Sequence, residues 1–413
     1  MTKPPMLTAQ QALDHLLLHA KPVAEIESVP MQATLGRVLA ENVNSLVDVP
    51  PLDNTSMDGY AVRTADTQNP GSVLKIAQRI PAGSVGIELQ AGTAARIFTG
   101  APVPLGADAI VMQEDCSTPE GWADQVQVNI APVFGQWIRR RGEDLTAGKT
   151  ALTAGTFLRP QELGVAASAG LTHLNVKRRV KVAAFFTGDE LSLPGEPLKL
   201  GGIYNSNRDT LLACIKALGC DATDLGIVPD RLDATRAALR QAGQDHDLII
   251  TSGGVSVGEE DHIKPAVTAE GRLDLWQIAI KPGKPLAFGA VRKSDQPNDG
   301  EAWFIGLPGN PVSSFVTFLL FVRPFILKLQ GREAKQTQSY SMRADFDWPK
   351  ADRRNEFLRV KINSQGGLDL YPNQSSGVLT SAAWGDGLVD CAPGQAIAKG
   401  DLVPYIPFSA LLS

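Results

Sequence analysis

Between Arg179 and about Gly331 the chain alternates short apolar runs with helix-length amphipathic ones, and this alternation constrains the fold more than any other feature. The run KVAAFFT precedes NRDTLLACIKALG, DLGIVP precedes RLDATRAALRQAG, and DLIIT precedes EDHIKPAVTAEG; LWQIAIKPG and WFIGLPG follow. Strands that alternate with helices predict βαβ units, a parallel sheet and right-handed crossovers. Such sheets bind ligands beyond the carboxyl ends of their strands. The residues after each apolar run are therefore the ones to read for chemistry.

All five ends carry small, polar or charged residues. Thr187-Gly188-Asp189-Glu190 follow the first run and Pro229-Asp230 the second. Thr251-Ser252-Gly253-Gly254 follow the third, with Asp261 further on. Lys281 and Lys284 bracket Pro282-Gly283 after the fourth, and Pro308-Gly309-Asn310-Pro311 with Ser313 follow the fifth. Each feature alone has a structural explanation: a turn, a helix cap, a solvated hairpin, or a proline that starts a helix. Coincidence at five successive ends is harder to explain that way.

The chemistry of this rim is mixed. Glu190, Asp230 and Asp261 are hard oxygen ligands of the kind that hold Mg²⁺. Lys281 and Lys284, with backbone N–H groups near Gly253-Gly254 and Gly309-Asn310, suit a tetrahedral oxyanion. A divalent metal reconciles the two sets, because it neutralises carboxylates and phosphates together. The stretch TSGGVSVGEED shows this in miniature: a glycine turn that approaches an anion, followed by Glu259, Glu260 and Asp261. Asp261 is expected to face the metal, and Glu259 and Glu260 to be helix N-terminal acids favoured by the dipole.

Outside this segment the texture differs. LTAQQALDHLLLHAKP predicts a helix with Thr8 and Gln11 as a capping box. Residues 28–140 and 332–413 read as mostly β, with a helix at RPQELGVAASAGL. At 413 residues, two to four domains are expected. A net charge of −5 leaves no global field for nucleic acid or anionic membranes. Four scattered cysteines suit a reducing cytoplasm, and MTKPPMLTAQQ shows no secretory h-region. The longest apolar stretch, VSSFVTFLLFVRPFILKL, is interrupted at Arg323-Pro324 and is expected to be a buried helix with a kink or break there.

Seven segments then occur in a telling order: DNTSMDGYAV, TGAPVPLGADAIVMQED, RRRGEDL, TGDEL, TSGGVSVGEED, KPGKPLAFG and GLPGNPVSSFVTF. Together they resemble the molybdopterin molybdenumtransferase family, which is related to the C-terminal domain of gephyrin, along effectively the whole chain. The resemblance implies a multidomain α/β plus β fold. A segmented helical linker domain (1–45 with 140–178) and a β insertion (46–139) precede a molybdopterin-binding α/β domain (179–331) and a C-terminal β-barrel (332–413). It implies a homodimer whose cleft is shared between subunits. The substrates would be molybdate and adenylylated molybdopterin, with Mg²⁺ as cofactor and AMP released. A molybdopterin adenylyltransferase and cofactor-accepting proteins would be partners.

By motif position the resemblance assigns Asp58, Thr99 and Asp144 from outside the α/β domain. Within it fall Glu190, Asp230, Ser252, Gly253, Gly254, Asp261, Lys281, Lys284, Pro308, Asn310, Pro311 and Ser313. Glu190, Asp230 and Asp261 form the metal set. RRNEFLR and NQSSG add Arg353 or Arg354 and Ser375 or Ser376 from the last domain. Gln277 stands where some relatives carry a basic residue, which leaves a third positive charge open. Two alternatives remain at this level: a gephyrin-like scaffold, and a family member that uses tungstate. A nucleotide enzyme of another class would need GxxxxGK[ST] or GxGxxG after a strand, and neither is present.

Overall fold

A computed structural model describes residues 6–118, 120–254, 262–296, 299–332 and 337–412. The chain divides into two compact units: residues 28–176, and residues 1–27 together with 177–413.

The opening helix α1 (Ala9–His19) begins as its sequence predicts, with the Thr8 hydroxyl and the Gln11 side chain each capping the other's backbone N–H. Grouped above with residues 140–178, it belongs to the same unit as the α/β sheet. Ala12 and Leu16 are fully buried in one apolar cluster with Val182 and Phe288.

The 28–176 unit is built on β1 (Gly59–Val62), β2 (Ser72–Ile80), β3 (Thr93–Ile97), β4 (Ala109–Met112), β5 (Cys116–Ser117) and β6 (Gln125–Val128). They pair in the order β4-β1-β3-β2-β6-β5. Its two faces bury separate clusters, Ala61, Ile97 and Ile110 on one and Val62, Ala94 and Val111 on the other. The period-two alternation of a strand produces this division. Helix α2 (Pro160–Ser168) follows, with Pro160 in its first turn.

In the other unit, β7 (Lys181–Thr187), α3 (Ser206–Ala217), β8 (Asp221–Val228), α4 (Leu232–Asp245) and β9 (Leu248–Ser252) follow in turn. Next come α5 (Ile263–Glu270), β10 (Gly271–Gln277), β11 (Ile280–Lys281), β12 (Pro285–Arg292) and β13 (Glu301–Leu307). The sheet order is β8-β7-β9-β13-β12-β10. Leu248, Ile249 and Ile250 are all fully buried, as a central strand covered on both faces requires. Phe186 and Ile250 face one cluster, Phe185 and Ile249 the other.

The expectation of a wholly parallel sheet needs correction. β7, β8, β9 and β13 are parallel, but β12 runs antiparallel to β13 and β10 antiparallel to β12. The segment LWQIAIKPGKPLAFG is therefore a hairpin rather than a further βα unit. Its turn still reaches the functional rim. Antiparallel pairing sets Ala287 opposite Gly306, so β12 begins where β13 ends.

The apolar stretch after β13 is one continuous helical run, Pro311–Leu329, most of it buried. It is long and apolar enough to cross a membrane, yet it lies in this unit's core with Val316, Phe318 and Phe325. The expected interruption at Pro324 takes the form of a wider turn. α6 (Pro311–Thr317) passes through a π turn at Phe318–Val322 into α7 (Arg323–Leu329). A proline lacks the N–H of the regular ladder and its ring crowds the preceding turn, which a widened turn accommodates.

β14 (Tyr340–Arg343), β15 (Asn355–Ile362), β16 (Leu368–Leu370), β17 (Gly387–Cys391) and β18 (Leu402–Pro407) form the last sheet, in the order β11-β15-β17-β18-β14. β16 pairs with β15, and an Ala344–Leu368 bridge links the β14 end to β16, so the sheet is nearly closed. Its interior holds Leu358, Val360, Val389 and Tyr405. β11 leaves the hairpin turn to join this sheet, pairing in parallel with β15.

Candidate active site

A cleft of about 710 Å³ lies over the rim of the α/β sheet. Glu190, Asp230, Gly253, Gly254, Lys281, Lys284, Pro308, Asn310 and Ser313 line it, and Arg354, Ser375 and Ser376 close it from the last sheet. A second cavity of about 600 Å³ adjoins it, sharing Thr187, Glu190, Gly253, Gly309 and Asn310, with Ser252, Pro311 and Asn207 in its wall.

The glycines set how closely the backbone can pack here. Gly253 has φ +102°, and a Cβ there would lie 2.6 Å from the Thr187 carbonyl oxygen. Only glycine accepts both conditions without strain. Gly188 leaves room of another kind, because a Cβ on it would meet the Glu190 carboxylate at 2.6 Å. That carboxylate is exposed to the cleft and makes no hydrogen bond or ion pair among the described residues. Asp230 lines the same cleft, its N–H 3.4 Å from Asp189 Oδ1.

Mg²⁺ is held by one or two carboxylates with substrate phosphate and water completing the shell. Glu190, lacking a partner among the described residues in a space that a side chain at 188 would fill, and Asp230, which lines the same cleft, fit such an ion. No group of three or more His, Cys, Asp or Glu among the described residues could hold a metal by itself. Asp261, Glu259 and Glu260 lie outside the described residues.

Ser252 has a different position from the one its motif suggests. It is 3% exposed, and its hydroxyl donates to the Pro308 carbonyl at 2.9 Å. The Ser252 hydroxyl oxygen itself accepts from Asn207 Nδ2 at 2.9 Å and from the Ser314 hydroxyl at 3.2 Å. Asn207 Nδ2 reaches the Gly309 carbonyl at 2.7 Å as well. The group ties the start of α3 and two glycine turns together, so the Ser252 side chain braces the rim. Val312 N–H at the start of α6 donates to the Ser376 carbonyl at 3.0 Å. The Ser313 hydroxyl has no hydrogen bond among the described residues.

The two lysines have unlike surroundings. Lys284 is exposed and makes no ion pair among the described residues. Lys281 Nζ lies 2.8 Å from Glu356 Oε1 and 3.5 Å from Asp352 Oδ2. Asp352 also clamps Arg354, taking Nε at 3.1 Å on one oxygen and Nη2 at 3.0 Å on the other. These Arg354 bonds hold the Asp352 carboxyl far below the usual carboxylate range. Of the adjacent arginines, Arg354 lines the cleft, while Arg353 is exposed and is not among the lining residues.

Sequence reasoning missed Glu356, Asp352, Asn207 and Arg359. Glu356 and Arg359 interrupt the buried strand NEFLRVKI, and a charge within an apolar run was the available signal. Arg359 is 1% exposed, and burial pushes its guanidinium down to about 10. It binds the Ser381 hydroxyl and the Ser375 and Phe357 carbonyls, while its backbone pairs with the Gln374 side chain. It thereby holds the NQSSG loop. Gln277 ends β10, its carbonyl accepting Leu7 N–H at 2.9 Å, and it does not line the cleft.

Asp58, Thr99 and Asp144 belong to the other compact unit. Asp58 Oδ1 accepts both the backbone N–H and the hydroxyl of Thr99, each at 2.7 Å. The backbone bond first, then the hydroxyl, holds the Asp58 carboxyl below its ordinary value. Asp144 is exposed, with its N–H bonded to the Val49 carbonyl.

Three family models match successive segments of the chain. Residues 7–170 match the MoeA N-terminal region (domain I and II), 183–328 a probable molybdopterin binding domain, and 341–408 the MoeA C-terminal region (domain IV). The molybdopterin molybdenumtransferase of Haemophilus influenzae is 40% identical over 369 residues, 88% of this chain and 89% of that one. The chain belongs to the molybdopterin molybdenumtransferase family. Molybdopterin molybdenumtransferase 2 of Mycobacterium tuberculosis is 36% identical over 396 residues, 92% and 93% of the two chains. A crystal structure of the molybdopterin biosynthesis MoeA protein of Pyrococcus horikoshii superposes with a TM-score of 0.77 at 30% identity, covering 98% of this chain and 99% of that one. A crystal structure of the molybdopterin biosynthesis MoeA protein of Pyrococcus horikoshii OT3 gives 0.82 at 27% identity, covering 98% and 100%. The chain is thus a member of a transferase family of molybdenum cofactor biosynthesis with the MoeA fold.

Proposed function

We propose that this protein inserts molybdenum from molybdate into adenylylated molybdopterin, with Mg²⁺, and releases AMP. One observation carries the reading. The cleft of a molybdenumtransferase-family chain is lined by Glu190, a carboxylate unpartnered among the described residues, together with Lys281, Lys284, Arg354 and Ser313. Adjoining cavities of about 710 and 600 Å³ suit a ligand with two bulky parts.

Lys284, Arg354, Ser313 and the Pro308–Pro311 backbone hold the oxyanion or the pterin phosphate, with Lys281 beside them. Glu190 and Asp230, with Asp261, would hold Mg²⁺, which when bound neutralises charge on the phosphoanhydride. Release of AMP breaks that anhydride, a reaction that needs alignment and charge neutralisation more than covalent help from the protein. That requirement fits a lining with no Ser-His or Cys-His pair among the described residues. The four unpaired cysteines support a reducing, cytoplasmic setting. We also infer a homodimer in which Asp58 and Thr99 of one copy serve the cleft of the other.

Incubation with adenylylated molybdopterin, Mg²⁺ and molybdate should yield AMP and metal-loaded cofactor. A folded protein that yields neither refutes the reading. Tungstate in place of molybdate measures oxyanion choice. Mixed dimers of Asp58→Ala and Lys281→Ala chains should regain activity that neither variant has alone, and failure to complement removes the shared cleft.

A further inference from the structure

Lys281 sits on β11, the two-residue strand that leaves the α/β hairpin to join the last sheet. The parallel register sets it opposite Glu356 on β15. Glu356 is 2% exposed, whereas the Lys281 side chain is 42% exposed and lines the cleft. One Glu356 oxygen, Oε2, accepts Trp348 Nε1 at 2.8 Å. The other, Oε1, makes no hydrogen bond among the described residues and faces the ammonium at 2.8 Å as an ion pair. Asp352, 3.5 Å from the same ammonium, shares its charge with Arg354.

We infer that Glu356 is a built-in counter-ion that competes with the oxyanion for Lys281 and so limits how tightly the cleft binds it. The inference rests on the oxyanion reading above. Burial and the Trp348 bond fix Glu356 in place, so its charge cannot turn away when an anion arrives. Lys281 is long, half exposed and tethered at one end, so it is the partner that moves. A lysine held this way keeps the empty cleft compact and is drawn off its acid only by a ligand of sufficient charge. Glu356 is therefore a positioning residue that sets an affinity ceiling, and it touches no substrate itself.

Equilibrium dialysis of the full chain against molybdate, across a range of salt concentrations, tests this. Glu356→Gln keeps the side-chain volume and an acceptor for Trp348 while removing the charge. It should bind molybdate about two- to five-fold more tightly, the scale of a half-exposed ion pair. Glu301→Gln makes the same charge change at an acid paired with Arg272 on an exposed surface, and should leave affinity unchanged. Adding Lys281→Met to Glu356→Gln should abolish the gain. Asp352→Asn should shift affinity in the same direction and remains informative should Glu356→Gln fail to fold.

Unchanged or weaker binding by folded Glu356→Gln overturns the inference, as does a gain that survives the loss of Lys281. Wild-type binding that is lost in Lys281→Ala but unchanged in Glu356→Gln overturns the counter-ion alone. A folded wild type that binds no molybdate overturns the oxyanion reading and the inference together.

Discussion

Lys281 and Glu356 face each other across a parallel strand pair, Nζ 2.8 Å from Oε1, one lining the cleft and the other buried in the last sheet. A cation contributed by the α/β hairpin thus has its counter-charge supplied by a different sheet. The cleft's two lysines are consequently unequal, and they should respond differently to removal.

Lys284→Ala should weaken molybdate binding by about ten-fold with stability changed by no more than about 0.5 kcal/mol, because the ammonium is exposed and makes no ion pair among the described residues. Lys281→Ala should lower stability by about 1–3 kcal/mol, because it leaves Glu356 buried without its cation. Urea unfolding and equilibrium dialysis on both variants separate the two effects. Equal stability of the two variants would contradict the assigned burial of Glu356.

Thr99 holds the Asp58 carboxyl below its ordinary value through its N–H and its hydroxyl. A depressed carboxyl contributes stability above the unfolded-state pKa of about 3.9 and loses it as pH falls through the lower folded value. Thr99→Val keeps the N–H and removes the hydroxyl. Its Asp58 should titrate at higher pH than in wild type, as read by carboxyl carbon NMR. Coincident titration curves would show that the hydroxyl contributes nothing.

Gly253→Ala should destabilise by roughly 1–3 kcal/mol, since a side chain at φ +102° is strained and its Cβ would meet the Thr187 carbonyl. Activity should fall with it, because the turn lines both cavities. Thermal unfolding that matches wild type would contradict the close approach of the two chain segments.

Mn²⁺ is a paramagnetic substitute for Mg²⁺ whose binding can be followed without substrate. Glu190→Gln and Asp230→Asn should each weaken it by at least about ten-fold, the loss typical of removing even an outer partner of a metal site. Electron paramagnetic resonance measures the free ion directly. Binding unaffected by either change would remove both residues from the metal set.

Much of this protein is legible in its sequence because local chemistry decides it. The capping box of Thr8 and Gln11 forms as written, and the buried β9 and the strand–helix alternation appear where the apolar periods place them. Glu190, Asp230, Gly253 and Pro308, which follow parallel strands, meet at one cleft for the same reason, since such strands present their carboxyl ends to one rim. Ordered motifs were enough to indicate the family.

What the sequence could not decide is what depends on partners distant along the chain. The run around Lys281 has the same apolar period in a parallel strand or an antiparallel hairpin, and only pairing with β13 settles the direction. Ser252 belongs to a motif that suggests a ligand, yet Asn207 and Pro308, 45 and 56 residues away, draw its hydroxyl into the scaffold. Glu356 and Lys281 become an ion pair only because β11 crosses to the last sheet. Periodicity is a property of neighbours in sequence, whereas charge pairing depends on distance in space, and only the folded chain sets that distance.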